Sequence, residues 1–502
     1  MVGNHDECHA RHSRPNGLFD VNGPSGTAPV EDFQVDWESS DADTLNPRCF
    51  RKTTKWLIVL IVSHVSLCIT CSSSIYTTTY DKMEADFHNS RIVSTLGLSS
   101  FVLGLAMGPM LLSPLSEFYG RKPIYVLSWS LHIVFIIPQA VAQHISVVVL
   151  FRFFDGFSGS AFLAVSGGTV GDLFSHDELQ APMALFSMSP FIGPSLGPLL
   201  GGFINYYTNW RWTYYVLIIW SLVVWLTILL LVPETHDPTL LEKKAAKLRK
   251  DTGDNRWAAR SAKPQTSITT AVGRSLLRPF QLLLFEPMCL ILCIYSAILL
   301  GIIYNFFGAI PLIFRTNHGF NLWQTGLAFM GIMASSFLCA ATDPIWHRVR
   351  AALIRRHTKG TGMEGSSEPE FRLPPAILGS FLAPIGLFMF GWTTYSSMHW
   401  MVSIIGSAIF GTGNMLIFTG IFTFLVDAYP LYAASALAAN ALVRNLFAAA
   451  FPLFGNQMYE KLGYQWASSV LAFLTVAMLP FPYLFFRYEM GQYKDDPRHA
   501  EF

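Results

Sequence analysis

Twelve stretches of this chain stay apolar for about as long as a bilayer is thick, roughly twenty residues each. They begin near Trp56, Ile92, Pro123, Ser146, Gln180, Thr213, Pro287, Leu322, Pro374, Trp400, Leu431 and Tyr464. Most are separated by only a few polar residues, which predicts neighbouring antiparallel helices in one bundle. A longer polar interruption follows the sixth span, so the pattern divides six plus six. Within it, "TLLEKKAAKLRK" from Thr239 has the period of a short amphipathic helix lying at the membrane surface. The expected organisation is a polar tail over 1–50, a six-helix half over 51–233, a central loop over 234–285, a second six-helix half over 286–488 and a tail over 489–502. The first tail is rich in Asp, Ser, Asn and Pro, lacks the basic-then-apolar start of a signal peptide, and is expected to be disordered.

Composition agrees: of 502 residues 52% are hydrophobic and 13% charged, which describes an all-α polytopic membrane protein rather than a soluble chain. A formal net charge of +1 argues against nucleic acid as a partner, because phosphate binding needs a concentrated basic surface. Basic residues set the orientation. Arg48, Arg51, Lys52 and Lys55 precede the first span, Arg121 and Lys122 follow the second, and the central loop is rich in Lys and Arg. Both termini are therefore expected in the cytosol. The seven cysteines fall in the tail or inside spans, so no disulfide framework is expected. Cys68 and Cys71 form a lone C-x-x-C without the further ligands that zinc needs, and no metal or other cofactor is implied.

The fifth span reads "SPFIGPSLGPLLGG" from Ser189. Gly193, Gly197 and Gly201 recur every four residues and share one helix face, with Pro194, Pro198 and Gly202 beside it. In lipid, close backbone approach is a main source of helix association, and small residues permit it. A bare, bent face suits a surface that slides, with a static packing seam as the alternative. On that reading Gly197→Val is disruptive and Gly197→Ala is tolerated.

These motifs carry a resemblance that covers about 46–488. The chain resembles the twelve-span drug:proton antiporter branch of the major facilitator superfamily, in its fungal form. "GPSLGPLLGG" resembles that branch's antiporter motif. "SPLSEFYGRKPIYV" resembles the superfamily's loop motif, with Glu117, Gly120, Arg121 and Lys122 in register, although Ser113 and Phe118 depart from the usual Gly and Arg. "RFFDGFSGSAF" resembles the Arg motif of the fourth span. The resemblance implies a cytosolic charge latch made by Glu117, Arg121 and Asp172, with Asp343 as a remnant of its counterpart in the second half. It also implies that spans one, four, seven and ten line the substrate cavity.

Ionisable residues inside spans are functional candidates, since burying one costs roughly 2.5–3.5 kcal/mol on insertion scales. Arg152 and Asp155, three apart on the fourth span, are the leading pair for proton coupling; His64 is the alternative carrier and His132 a weaker one. Ser73 and Tyr76, Tyr304, Asn305 and Phe306, Asn414 and Arg444 are the candidates for contact with a substrate in a mostly apolar cavity. The expected function is proton-coupled efflux of small amphipathic organic compounds such as drugs, toxins or a fungal secondary metabolite. One proton entering across ~100 mV and one pH unit supplies about 3.7 kcal/mol, which supports roughly a 500-fold gradient of a neutral substrate at one-to-one exchange. The alternatives are an importer of sugar or another small solute, to which "PET" after the sixth span adds slight weight, and a transporter-like nutrient sensor. An enzyme would need converging catalytic groups at one membrane face, and the sequence offers none. The expected setting is the plasma membrane, or else the vacuolar membrane, with the protein acting as a monomer in the bilayer.

Overall fold

A computed structural model describes residues 33–37, 45–175, 178–260, 268–361, 368–430 and 432–492. Most of the N-terminal tail, with Cys8, and residues 493–502 of the C-terminal tail lie outside the described residues. The first half contains α1 (Lys52–Ile75), α2 (Tyr80–Phe87), α3 (Arg91–Tyr119), α4 (Arg121–Ala140), α5 (Ile145–Leu173), α6 (Gln180–Tyr207) and α7 (Arg211–Leu231). The linker carries α8 (Asp237–Thr252) and α9 (Ile268–Phe285). The second half contains α10 (Pro287–His318), α11 (Leu322–Ala328), α12 (Met330–Thr361), α13 (Pro374–Trp392), α14 (Trp400–Ala428), α15 (Ala433–Leu462), α16 (Tyr464–Met478) and α17 (Pro480–Gln492). Twelve membrane-length segments result, each beginning within a few residues of the expected start. An even number of crossings leaves both ends on one face, here termed the tail side; the opposite face is the far side.

Three of the segments are broken, and the first break has a visible cause. The Thr77, Thr78 and Thr79 hydroxyls donate to carbonyls three residues back, at 2.8, 2.7 and 2.6 Å. Such back-bonding favours the tighter 3₁₀ turn that separates α1 from α2. By contrast α6 runs unbroken through Pro190, Pro194 and Pro198. Its Gly193 carbonyl accepts a hydrogen bond from the Ser74 hydroxyl of α1 at 3.5 Å, a side-chain tie between the two helices.

In the first half α1 packs on α6, α3 on α5, and α4 on α5 and α7. In the second, α10 packs on α15, α13 on α14 and α16, and α12 on α14. The halves meet where α3 crosses α15 and where α6 meets α11 and α12. Large apolar side chains such as Leu222, Val223, Leu230 and Phe473 remain exposed on the outside, as lipid-facing positions should.

The linker departs from expectation. The apolar face of α8 is covered by protein rather than laid on lipid: Leu241 and Ala245 form a small core with Val35 and Ala259, flanked by Trp37, Leu248 and Trp257. Strand β1 (Gln34–Val35) pairs in parallel with β2 (Ala258–Ala259), so part of the tail expected to be disordered has a defined place. An Asp36–Arg260 ion pair and Arg256 stacked 3.9 Å over Phe33 complete the clasp. Beside it, burial raises the Asp237 carboxyl above its ordinary range, against the opposing charge of Arg48. The second linker helix, α9, rests on both α3 and α15 and so bridges the two halves.

Candidate functional site

Gly120, between α3 and α4 within the loop motif, has φ +95°, a positive φ that disfavours other residues. The turn it makes aims the first amides of α4 at a carboxylate. Arg121 N and Lys122 N donate to Glu234 at 2.8 and 3.2 Å, the arrangement favoured at a helix N-terminus. The Arg121 side chain pairs with Asp172 at 3.3 Å and donates to Ser116 Oγ at 2.8 Å. Lys122 Nζ reaches the Leu229 carbonyl at 3.2 Å. Glu117 is exposed and joins no ion pair among the described residues. The acidic members of the network are therefore Asp172 and Glu234, the latter from the "PET" that weighed towards sugar import, and none of its residues belongs to the second half.

The second half repeats the arrangement: Arg372 and Arg350 hold Asp427 at 2.7 and 3.6 Å. Asp343 instead pairs with His347 at 3.5 Å and accepts from Gln180 Nε2 at 3.3 Å, a hydrogen bond between the halves on the tail side. On the far side Asp81 binds Arg91 at 2.7 Å and also Arg315 of the second half.

The expected Arg152–Asp155 pair is not formed. Arg152 is fully buried and donates to the carbonyls of Gly97 at 2.8 Å, Ser73 at 3.0 Å and Ser72 at 3.3 Å. Its guanidinium lies between the rings of Tyr76 and Phe101, 4.2 and 4.6 Å from their centres. Asp155 points to α4, where Oδ1 contacts His132 Nδ1 and Oδ2 accepts from Gln139 Nε2 at 3.0 Å. His132 Nε2 lies 3.4 Å from the Ser221 hydroxyl. All three side chains are buried. Three residues along a helix leave two side chains roughly 60° apart, so the spacing permits a pair without forcing one; Arg152 is drawn instead to the carbonyls of α1 and α3 and Asp155 to the side chains of α4. His132 and Gln139 are seven apart, two turns on one face, and that spacing was the available signal.

His64 sits on the exposed face of α1 in line with Leu57 and Leu60, away from the helix interior. Its Nε2 accepts a hydrogen bond from Trp220 Nε1 at 2.8 Å.

The substrate candidates separate similarly. Ser73 Oγ and Tyr304 Oη meet across the halves at 3.0 Å. Tyr76 donates to the Ser94 carbonyl at 2.8 Å and packs within the first half. Phe306 is wedged against Phe390 and Phe410, 4.8 and 5.4 Å between ring centres, inside the second half's core. Asn305 is buried against Gly455, and with Tyr304, Tyr80, Thr95 and Asn456 it lines a small cavity between the halves. Asn414 is buried one turn from Phe418 on α14. Arg444 lies over the Phe418 ring at 4.4 Å.

The glycine face of α6 lies against α1, its partner in the same half. A methyl group on Gly197 would stand 2.6 Å from Ile75 N and 2.8 Å from Cys71 O. One on Gly193 would stand 2.7 Å from Leu67 O. These obstacles are backbone atoms, so Gly197→Ala is not the mild change expected. The glycines that touch the other half are Gly202, whose Cβ would lie 2.9 Å from Leu322 O, and Gly326, 2.5 Å from Pro198 O.

Among the described residues no group of His, Cys, Asp and Glu is arranged to hold a metal ion. The family model of the Major Facilitator Superfamily matches residues 62–452. The chain is 50% identical to the efflux pump atB of Aspergillus terreus over 96% of its own length and 94% of the relative's. It is 41% identical to the probable drug/proton antiporter YHK8 of Saccharomyces cerevisiae, covering 86% of this chain and 84% of that one. Among solved structures, a partially occluded inward-open conformation of the xylose transporter XylE from E. coli superposes with TM-score 0.60 at 16% identity, over 86% of this chain and 99% of that one; this likeness concerns the fold alone.

Proposed function

Because the chain belongs to the major facilitator superfamily, among its fungal efflux pumps and drug:proton antiporters, we propose that it exports small amphipathic organic compounds, such as drugs, toxins or a fungal secondary metabolite, in exchange for protons by alternating access. The observation that carries the proton half of this reading is the buried contact between Asp155 and His132. With one proton between them, carboxylate plus neutral imidazole has net charge −1; a second proton makes a neutral ion pair. The contact places two proton-exchanging groups side by side, and we assign to them the uptake and release of one proton. Gln139 holds the carboxylate in register, and Arg152 ties α5 to the backbone of α1 and α3.

The halves supply the moving parts. Ser73 and Tyr304 close the path at its middle, Asp81 and Arg315 at the far side, and Gln180 and Asp343 at the tail side. Alternating access requires the tail-side and far-side contacts to open in turn. The tail-side network of Arg121, Asp172 and Glu234 stiffens the first half as that happens. We assign the protein to the plasma membrane, acting as a monomer with its tail side in the cytosol, an orientation supported by the basic residues on that side.

The deciding experiment measures substrate export from cells and from energised vesicles. An uncoupler raises intracellular substrate, and removal of ATP from vesicles with an imposed proton gradient changes nothing. Undiminished uphill export without a proton gradient would exclude antiport.

A further inference from the structure

Arg444 is a charge that the proton cluster does not use. It lies inside the eleventh membrane segment, and its Nε is buried with no hydrogen-bond partner. No ion pair involves it among the described residues. The Tyr304 hydroxyl and the Cys293 thiol interact with it, and neither is a carboxylate. Arg152, which is fully buried, is by contrast satisfied by three backbone carbonyls.

The surroundings of Arg444 belong to the seam between the halves. The Phe418 ring beneath its guanidinium packs on Phe191 of α6, 4.9 Å between ring centres. Leu442, two residues earlier on α15, packs on Ala106 and Met110 of α3. Tyr304 meets Ser73 of the first half. The donors of Arg444 thus stand beside the route that alternating access opens.

A guanidinium does not shed its proton at any accessible pH, and an unpaired charge within a membrane segment is costly. Its planar fork matches a carboxylate, which it can bind through two parallel hydrogen bonds. The charge sum points the same way. Arg152 and Arg444 contribute two positive charges, and the Asp155–His132 cluster contributes −1 or 0, so the middle of the bundle is positive in either protonation state.

We propose that Arg444 is the recognition group of an anion subsite, and that the exported compounds include organic acids with a flat apolar body. The carboxylate takes the fork of Arg444 with the Tyr304 hydroxyl beside it, and the body lies against Phe418 and Phe191. This proposal rests on the efflux reading and adds its substrate class. It also changes the energetics: an anion leaving while a proton enters moves two charges the same way. The gradient supported by ~100 mV then rises from about 50-fold for a neutral substrate to about 2,000-fold.

The test is equilibrium binding to the full-length protein in nanodiscs of neutral phosphatidylcholine, with no gradient present, so failure here leaves proton-coupled efflux standing. The probes are 1-naphthylacetate, its uncharged amide 1-naphthylacetamide and (1-naphthylmethyl)trimethylammonium. Wild type should bind the acid at least about 10-fold more tightly than the amide, as a charge-assisted bidentate contact implies. Arg444→Gln should abolish that preference. Arg444→Lys, which keeps the charge without the fork, should retain part of it, and melting curves should show both variants folded. Adding an anionic phospholipid to the nanodiscs should leave acid binding within about twofold; complete displacement would mean that the site holds a lipid headgroup and would overturn the proposal. Equal affinity for the three probes, no binding of the acid, or an unchanged preference in Arg444→Gln would overturn it as well.

Discussion

At the scale of single residues, the decisive fact is that Asp155 is partnered by a histidine rather than by the arginine three positions before it. Asparagine at 155 preserves a polar side chain beside Gln139 but cannot exchange a proton. Asp155→Asn should therefore bind substrate normally while its uphill gradient of a neutral substrate falls from about 500-fold to none, measured as accumulation in vesicles with about one pH unit and ~100 mV imposed together. His132→Gln separates proton sharing from packing: it should move the pH dependence of export while leaving equilibrium binding in place. If both variants pump with the wild-type pH profile, the cluster is structural. Part of this was legible in the sequence. Hydropathy singled out Asp155 as costly, but it could not say which neighbouring helix Asp155 faces, because that depends on how α4 and α5 are rotated against each other. Glu234 was hidden for a related reason: its role as a cap depends on a contact with Arg121, more than a hundred residues away.

At the scale of elements, bilayer-length apolar runs are the most readable feature of a sequence, and the start of every span was anticipated to within a few residues. The breaks between α1 and α2 and between α11 and α12 were not, since neither a turn of 3₁₀ helix nor the single turn residue Phe329 alters hydropathy much. Helix α9 was missed because it is not long and apolar enough to read as a span and lies within a polar linker. The glycine pattern of α6 was read correctly as a bare face, but a repeat within one helix cannot name the helix that covers it. The two sets of glycines now make different predictions. Gly197→Ala pushes α6 off the backbone of α1 inside one half and should cost about 1–3 kcal/mol of stability, read as a lower melting temperature and less protein at the membrane. Gly326→Ala acts at the seam between halves. It should leave the melting temperature nearly unchanged while altering export rate, because it wedges α11 from α6 only in the state where they touch.

At the scale of the whole molecule, the two halves carry matching charge clusters, Arg121 with Asp172 and Arg372 with Asp427, each internal to its half. The ion pair that joins the halves among the described residues is Arg315 with Asp81. Removing it should favour opening at the far side. In a cysteine-free background carrying Ser73→Cys, the further change Asp81→Asn should speed labelling by an impermeant maleimide applied from the far side, while Asp172→Asn should not. The clasp between β1 and β2 has a different kind of consequence. Asp36 and Arg260, paired across it, are 224 positions apart, and six membrane segments lie between them. Translation at about 5–20 residues per second leaves the first strand waiting roughly 11–45 s for its partner. Until then Val35 and Trp37 have no apolar cover, and any chain cut short after α7 keeps them bare. The closed clasp is thus a mark of completed synthesis and insertion of the first half, one that a quality-control protease could read from the tail side.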